Sequence, residues 1–163
     1  MTKALFFDID GTLVSFETHA IPASTIEALT IAHEKGIKIF IATGRPKAII
    51  NNLADIQARG LIDGYITMNG AYCFVGDEVI YKSAIPAGEV RALAQVCEQK
   101  GYPCIFVGEH TISVCQPNKL VHDIFYDFLH VDEIPVKTFE EAVQEEIFQM
   151  TPFVTVEEET EIQ

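Results

Sequence analysis

Cationic side chains are scarce in this sequence: 11 Lys and Arg stand against 24 Asp and Glu, for a formal net charge of −13. Phosphate backbones are bound through clustered Lys and Arg, so the balance argues against a nucleic-acid partner. Long apolar runs are missing as well. None approaches the roughly 20 residues that span a bilayer, and the N-terminus lacks the charged, apolar and small-residue sections of a signal peptide. A cytoplasmic chain with no membrane partner is therefore expected. The cysteines Cys73, Cys97, Cys104 and Cys115 form no C-x-x-C pair and lie in apolar surroundings, which favours reduced core residues over a zinc site or a disulfide framework. His19, His33, His110, His122 and His130 are equally dispersed, without an H-E-x-x-H pattern, and suggest no metal site. Internal repeats and low-complexity segments are absent apart from the acidic end Glu157-Glu158-Glu159-Thr160-Glu161. Nothing in the sequence specifies an oligomeric state.

What is present is concentrated near the start. The run Ala4-Leu5-Phe6-Phe7 stops at Asp8-Ile9-Asp10-Gly11-Thr12. A central strand of a parallel sheet is apolar on both faces, and the run reads as such a buried strand. Open α/β sheets place their sites just beyond the carboxyl ends of the strands, where these two acids sit. Residues i and i+2 of an ideal strand share a face, so the carboxylates repel each other unless a cation or a bend intervenes. Gly11 permits the bend, and a hard cation such as Mg²⁺, which prefers oxygen ligands, relieves the repulsion. Aspartate also ends strands and opens turns, but two carboxylates followed by Gly-Thr-Leu favour a site.

A chain of 163 residues suffices for one ordinary domain or two small ones. A loop leads to Ile21-Pro22-Ala23-Ser24-Thr25, where Pro near the first turn marks a helix start. This helix is expected to run to Lys35, with Ile26, Leu29, Thr30 and His33 at spacings of three and four and Gly36 as its stop. Residues 37–42, IKIFIA, read as a second buried parallel strand, which gives a βαβ unit and an α/β fold class. The strand ends at Thr43-Gly44-Arg45-Pro46, and a single helix over 47–58 is expected to follow. Thr43 offers a hydroxyl, Gly44 allows close backbone approach, and the helix N-terminus would favour an anion. The right-handed βαβ rule sets the two strand ends at one edge of the sheet, so that Thr43 can face Asp8. Arg45 either touches a ligand or anchors its own loop.

A third strand lies within 61–68, followed by Asn69-Gly70-Ala71. Asn69 reads either as a site residue or as a left-handed turn residue before glycine. A hairpin over 71–85 turns at Val75-Gly76-Asp77-Glu78. Pro86 and Gly88 mark a boundary, giving domains 1–84 and 85–163. The second is expected to hold helices over 89–100, 117–129 and 139–145 and strands over 102–107, 111–115 and 147–156, an α+β mixture. His110, Lys119 and His122 are its polar candidates, each equally readable as ordinary surface.

The Asp8-Ile9-Asp10-Gly11-Thr12 stretch resembles the first motif, Asp-x-Asp-Gly-Thr, of the haloacid dehalogenase (HAD) superfamily. Ala42-Thr43-Gly44-Arg45, one βα unit later, is similar to its second motif, and Asn69-Gly70-Ala71 resembles the Cof-like sugar-phosphatase branch. The resemblance implies a Rossmann-like parallel-sheet core with an inserted α+β cap of the C2 type after the third strand. It further implies Mg²⁺-dependent hydrolysis of a small phosphate monoester, a sugar phosphate above all. Asp8 is then the nucleophile and Asp10 the general acid and base, Asp8, Asp10, Thr43 and Gly44 bind phosphate, Asp8 and Asp10 hold the metal, and Arg45 and Asn69 are possible substrate contacts. A phosphomutase of the same superfamily is the alternative enzyme. A receiver module is disfavoured, because receivers carry their aspartate after the third strand, where this chain has Met68-Asn69. The family's later Lys and Gly-Asp-x-x-x-Asp motifs are not found. The sequence is therefore expected to be part of a longer chain, with an unpaired sheet edge in the core as it stands. If the chain ends at 163, a non-catalytic binding module is expected instead.

Overall fold

The computed structural model of the protein describes residues 3–128, 131–155 and 158. The chain divides after Ser83 into two compact units.

In the first unit, β1 (Lys3–Phe7), β2 (Ile37–Ala42) and β3 (Gly64–Thr67) are parallel neighbours, and β4 (Tyr72–Val75) and β5 (Glu78–Lys82) follow antiparallel in the order β1-β2-β3-β4-β5. Phe7 pairs with Ile41 and Ala42 with Ile66, so the three parallel strands end level with one another. Helix α1 (Ala23–Glu34) crosses from β1 to β2, capped by Pro22 and closed at Gly36, whose N–H donates to His33 O at 2.9 Å. Its Leu29 packs with Ile9, Leu13, Val14, Ile39, Ile41 and Leu53 in one apolar core. The β4–β5 hairpin turns at Gly76-Asp77, with Val75 opposite Glu78.

Two expectations are corrected here. Strand β1 is not central: among the described residues it is an edge strand, and Leu5 and Phe6 are 40% and 57% exposed. Phe6 stacks on Phe40 of β2 with ring centroids 5.0 Å apart. The helix expected over 47–58 is also not continuous. A 3₁₀ turn, Lys47–Ile49, is separated from the short helix α2 (Ala54–Ala58). The Ile49 carbonyl, which would accept from residue 53 in a continuous α-helix, accepts instead from Arg45 Nη1 at 3.1 Å.

In the second unit, β6 (Cys104–Gly108) lies between β7 (Ile112–Cys115) and β8 (Ile147–Pro152) in an antiparallel sheet of order β7-β6-β8. Helix α3 (Ala87–Lys100) buries Val90, Ala94 and Cys97, the i, i+4, i+7 stripe of a helix face. Gly101 ends it by donating to the Cys97 and Glu98 carbonyls. Cys104, Phe106, Cys115, Phe139 and Ile147 complete the core. Burial above all pushes the Cys115 thiol up to about 11, so this thiol stays protonated at neutral pH. The helix expected over 117–129 opens as α4 (Lys119–Val121), capped by the Asn118 side chain, and continues as a π-helical turn, His122–Phe128. Leu129 lies outside the described residues. Helix α5 (Phe139–Ala142) is shorter than expected and starts in a capping box between Thr138 and Glu141. Val156, the last residue of the strand expected over 147–156, His130 and most of the acidic end also lie outside the described residues.

Candidate active site

The level ends of the parallel strands bring together residues far apart in sequence. Beyond β1, β2 and β3 stand Asp8, Thr43 and Asn69, and these line one open cleft of about 470 Å³ with Ala42, Gly44, Ile66 and Gly70. Asp8 lies beyond the last β1 residue and is exposed. The next turn is pinned by apolar side chains: Ile9, Leu13 and Val14 are buried, and the Val14 N–H donates to Ile9 O at 2.9 Å. The Gly11 N–H in turn donates to Val14 O at 2.9 Å. Gly11 has φ +74°, and a Cβ there would lie 2.6 Å from Phe16 Cε2, so both backbone and space call for glycine. The buried Ile9 between two polar neighbours is what directs the carboxylates out of the core.

Asp10 is held by Arg45. Nε and Nη2 of the guanidinium donate to Oδ2 and Oδ1 of Asp10, each at 2.8 Å. The arginine is 8% exposed and the aspartate side chain 29%. The charge repulsion expected between Asp8 and Asp10 is thus met by a protein cation as well as by the bend at Gly11. Arg45 is also tied to its own loop: its Nη1 donates to Ile49 O at 3.1 Å and to Asn51 Oδ1 at 3.4 Å.

Thr43 is buried, and its Oγ1 accepts the Arg45 backbone N–H at 3.1 Å. A hydroxyl that accepts in this way still has its own proton to donate. The Thr43 N–H donates to Ile66 O at 2.9 Å, which ties the loop to β3. Gly44 faces Asn69: a Cβ at Gly44 would lie 3.0 Å from Asn69 Oδ1. Asn69 lines the cleft and adopts a left-handed conformation at φ 54°.

Sequence reasoning did not foresee Met68, which is also left-handed at φ 51° and is buried. It is strained for a side chain without a local hydrogen-bonding group, and its N–H donates to Arg45 O at 3.4 Å. Asn51 and the Asp10–Arg45 partnership were likewise unforeseen, because no local pattern links positions 35 residues apart.

In the second unit, His110 is exposed beside Glu109, Lys119 pairs with Asp123 at 2.5 Å, and His122 Nδ1 lies 3.4 Å from Asp127. Among the described residues, the exposed His122, Asp123 and Asp127 bring their ligand atoms within 4.8 Å of one another. No helix among the described residues is long and apolar enough to cross a membrane.

The family model of haloacid dehalogenase-like hydrolases matches residues 5–163. The structure of the HAD subclass IIB sugar phosphatase BT4131 superposes with a TM-score of 0.93 at 75% identity, over 99% of this chain and 62% of that one. BT1666 of Bacteroides thetaiotaomicron, a HAD-superfamily phosphatase, gives a TM-score of 0.80 at 35% identity, over 99% and 59%. YkrA of Bacillus subtilis (strain 168), a candidate phosphatase, is 29% identical over 163 residues, 97% of this chain and 60% of its own length. The chain spans about three fifths of the length of these relatives. It belongs to the haloacid dehalogenase-like hydrolases.

Proposed function

We propose that this chain carries the nucleophile, the proton-transfer group and part of the phosphate site of a Mg²⁺-dependent phosphatase acting on small phosphate monoesters, sugar phosphates foremost. The observation that carries the reading is the convergence of Asp8, Thr43, Gly44 and Asn69 on one cleft at the level ends of three parallel strands. The likeness to a sugar phosphatase at 75% identity supports the substrate class. The second unit is the cap of the C2 type, placed after the third parallel strand and its hairpin.

In the first step an Asp8 carboxylate oxygen attacks phosphorus, the bond from phosphorus to the ester oxygen breaks, and the leaving alkoxide takes a proton from Asp10. In the second, water attacks the aspartyl-phosphate, gives its proton to Asp10, and the bond from Asp8 to phosphorus breaks to release phosphate. Covalent catalysis of this kind divides one difficult displacement into two. The Thr43 hydroxyl and the Gly44 N–H donate to the phosphoryl oxygens as charge moves during transfer.

The donor set fits a hard divalent cation. Asp8 offers an exposed carboxylate at the cleft, and each Asp10 oxygen accepts one hydrogen bond from Arg45. Asp8 would hold such an ion through a carboxylate oxygen and Asp10 through its main-chain carbonyl. When bound, Mg²⁺ supplies positive charge against the phosphoryl oxygens.

The test is inorganic phosphate release from a panel of hexose and pentose phosphates, with and without Mg²⁺. Mg²⁺-dependent release supports the reading. Transfer of phosphate between positions of the sugar without release would instead favour a mutase, and inertness toward the whole panel would contradict both.

A further inference from the structure

We infer that Arg45 is a positioning residue for proton transfer by Asp10 rather than a contact for the substrate, an inference that rests on the phosphatase reading above. The geometry leaves Arg45 little else to do. Its Nε and Nη2 donate to the two Asp10 oxygens at 2.8 Å, and its Nη1 donates to Ile49 O and Asn51 Oδ1 at 3.1 and 3.4 Å. Four of the guanidinium's five N–H donors are thereby engaged in a side chain only 8% exposed. The backbone is fixed as well, because the Arg45 N–H donates to Thr43 Oγ1 at 3.1 Å and its carbonyl accepts from Met68 at 3.4 Å.

A planar fork of this kind sets both the place and the plane of the carboxylate, which a point charge does not. An ionised carboxylate has about four lone-pair sites, so the fork leaves the outward ones free to take and give a proton. The interruption of the helix after Ile49 belongs to the same device. A continuous helix would consume the Ile49 carbonyl internally, and the guanidinium would lose the support that aims it at Asp10.

If Arg45 acts through Asp10, its loss weakens protonation of the leaving oxygen and spares binding. An alkoxide from a sugar needs that proton, whereas p-nitrophenolate is a stable anion and departs largely without it. The experiment measures kcat and KM for wild type, Arg45→Met, Arg45→Lys, Asp10→Asn and Asp10→Asn/Arg45→Met on a hexose phosphate and on p-nitrophenyl phosphate. Arg45→Met is expected to lose about 10²-fold or more in kcat on the hexose phosphate and far less on p-nitrophenyl phosphate, in line with the usual range for general acid–base catalysis. KM should change little for either ester. Arg45→Lys should show the same skew at smaller size, and the double variant should be no slower than Asp10→Asn on the hexose phosphate.

The ratio between the two esters in one preparation does not depend on how much of the variant is folded, so destabilisation cannot imitate the result. Equal losses on both esters, or a raised KM with kcat unchanged, would overturn the assignment and make Arg45 a general structural or phosphate-binding residue. A wild type inert toward both esters would overturn the phosphatase reading and this inference with it. An active wild type with equal losses overturns only the inference.

Discussion

Arg45 and Asp10 stand 35 residues apart in sequence and meet through two hydrogen bonds of 2.8 Å, one to each carboxylate oxygen. The pair ties the loop after β1 to the loop after β2, so it bears on stability as well as on chemistry. The nearly buried guanidinium has Asp10 as its charged partner in this pair. Breaking a fully buried pair by removing one member costs roughly 3–5 kcal/mol. Asp10 keeps some exposure, so Asp10→Ala is expected to cost about 2–3 kcal/mol in urea unfolding at neutral pH. Asp10→Asn, which retains an acceptor for one arm of the fork, should cost less.

Gly11 makes the turn that presents the two acids. Gly11→Ala forces a side chain into the left-handed region at φ +74°, with its Cβ against Phe16. The backbone term alone is about 1–2 kcal/mol, and Phe16, at 53% exposure, has room to swing away. A fall in the thermal midpoint is expected for Gly11→Ala and a smaller one for Gly11→Asn, because asparagine tolerates this conformation better. Thermal unfolding followed by circular dichroism reads the difference.

Asp63 fixes the start of β2 and β3 together. Lys38 Nζ donates to its Oδ1 at 2.6 Å and the Ile39 N–H to its Oδ2 at 2.9 Å. Burial raises its affinity for a proton, but Lys38 and Ile39 outweigh that and hold the carboxyl below its ordinary value of 3.8. A folded value below the unfolded one means that the contribution to stability is fully present above the unfolded value. It is lost as pH falls through 3.8 toward the folded value. Wild type should exceed Asp63→Asn in unfolding free energy at pH 7, and the gap should close as pH is lowered through that range. Glu145, held down by Lys137 and Thr111, adds the same sign of acid sensitivity in the second unit.

The βαβ order, the hairpin and the placement of Asp8, Thr43 and Gly44 were legible in sequence because each is local. An apolar run ends at acids, a second run ends at Thr-Gly, and turn residues fall between them. What was not legible depends on distance or context. Strand β1 reads as central from its apolar residues, yet Leu5 and Phe6 stand exposed, because hydrophobicity reports a preference for burial and not the neighbour that satisfies it. The helix over 47–58 has adequate propensity, and at its break the Ile49 carbonyl accepts from Arg45 instead. That contact exists only once Asp10 has been brought alongside. The left-handed Met68 lacks any local signal, since methionine is not a turn residue.

The most direct test of the central claim is Mg²⁺-dependent phosphate release from a hexose phosphate by wild type and by Asp8→Asn, measured side by side with matched unfolding midpoints. Removing an attacking carboxylate should lower the rate by about 10⁴-fold or more while leaving the fold intact, because Asp8 is exposed at the cleft rather than packed in the core. Full Mg²⁺-dependent activity in Asp8→Asn would contradict the account at its root, since phosphoryl transfer would then proceed without the group assigned to attack phosphorus.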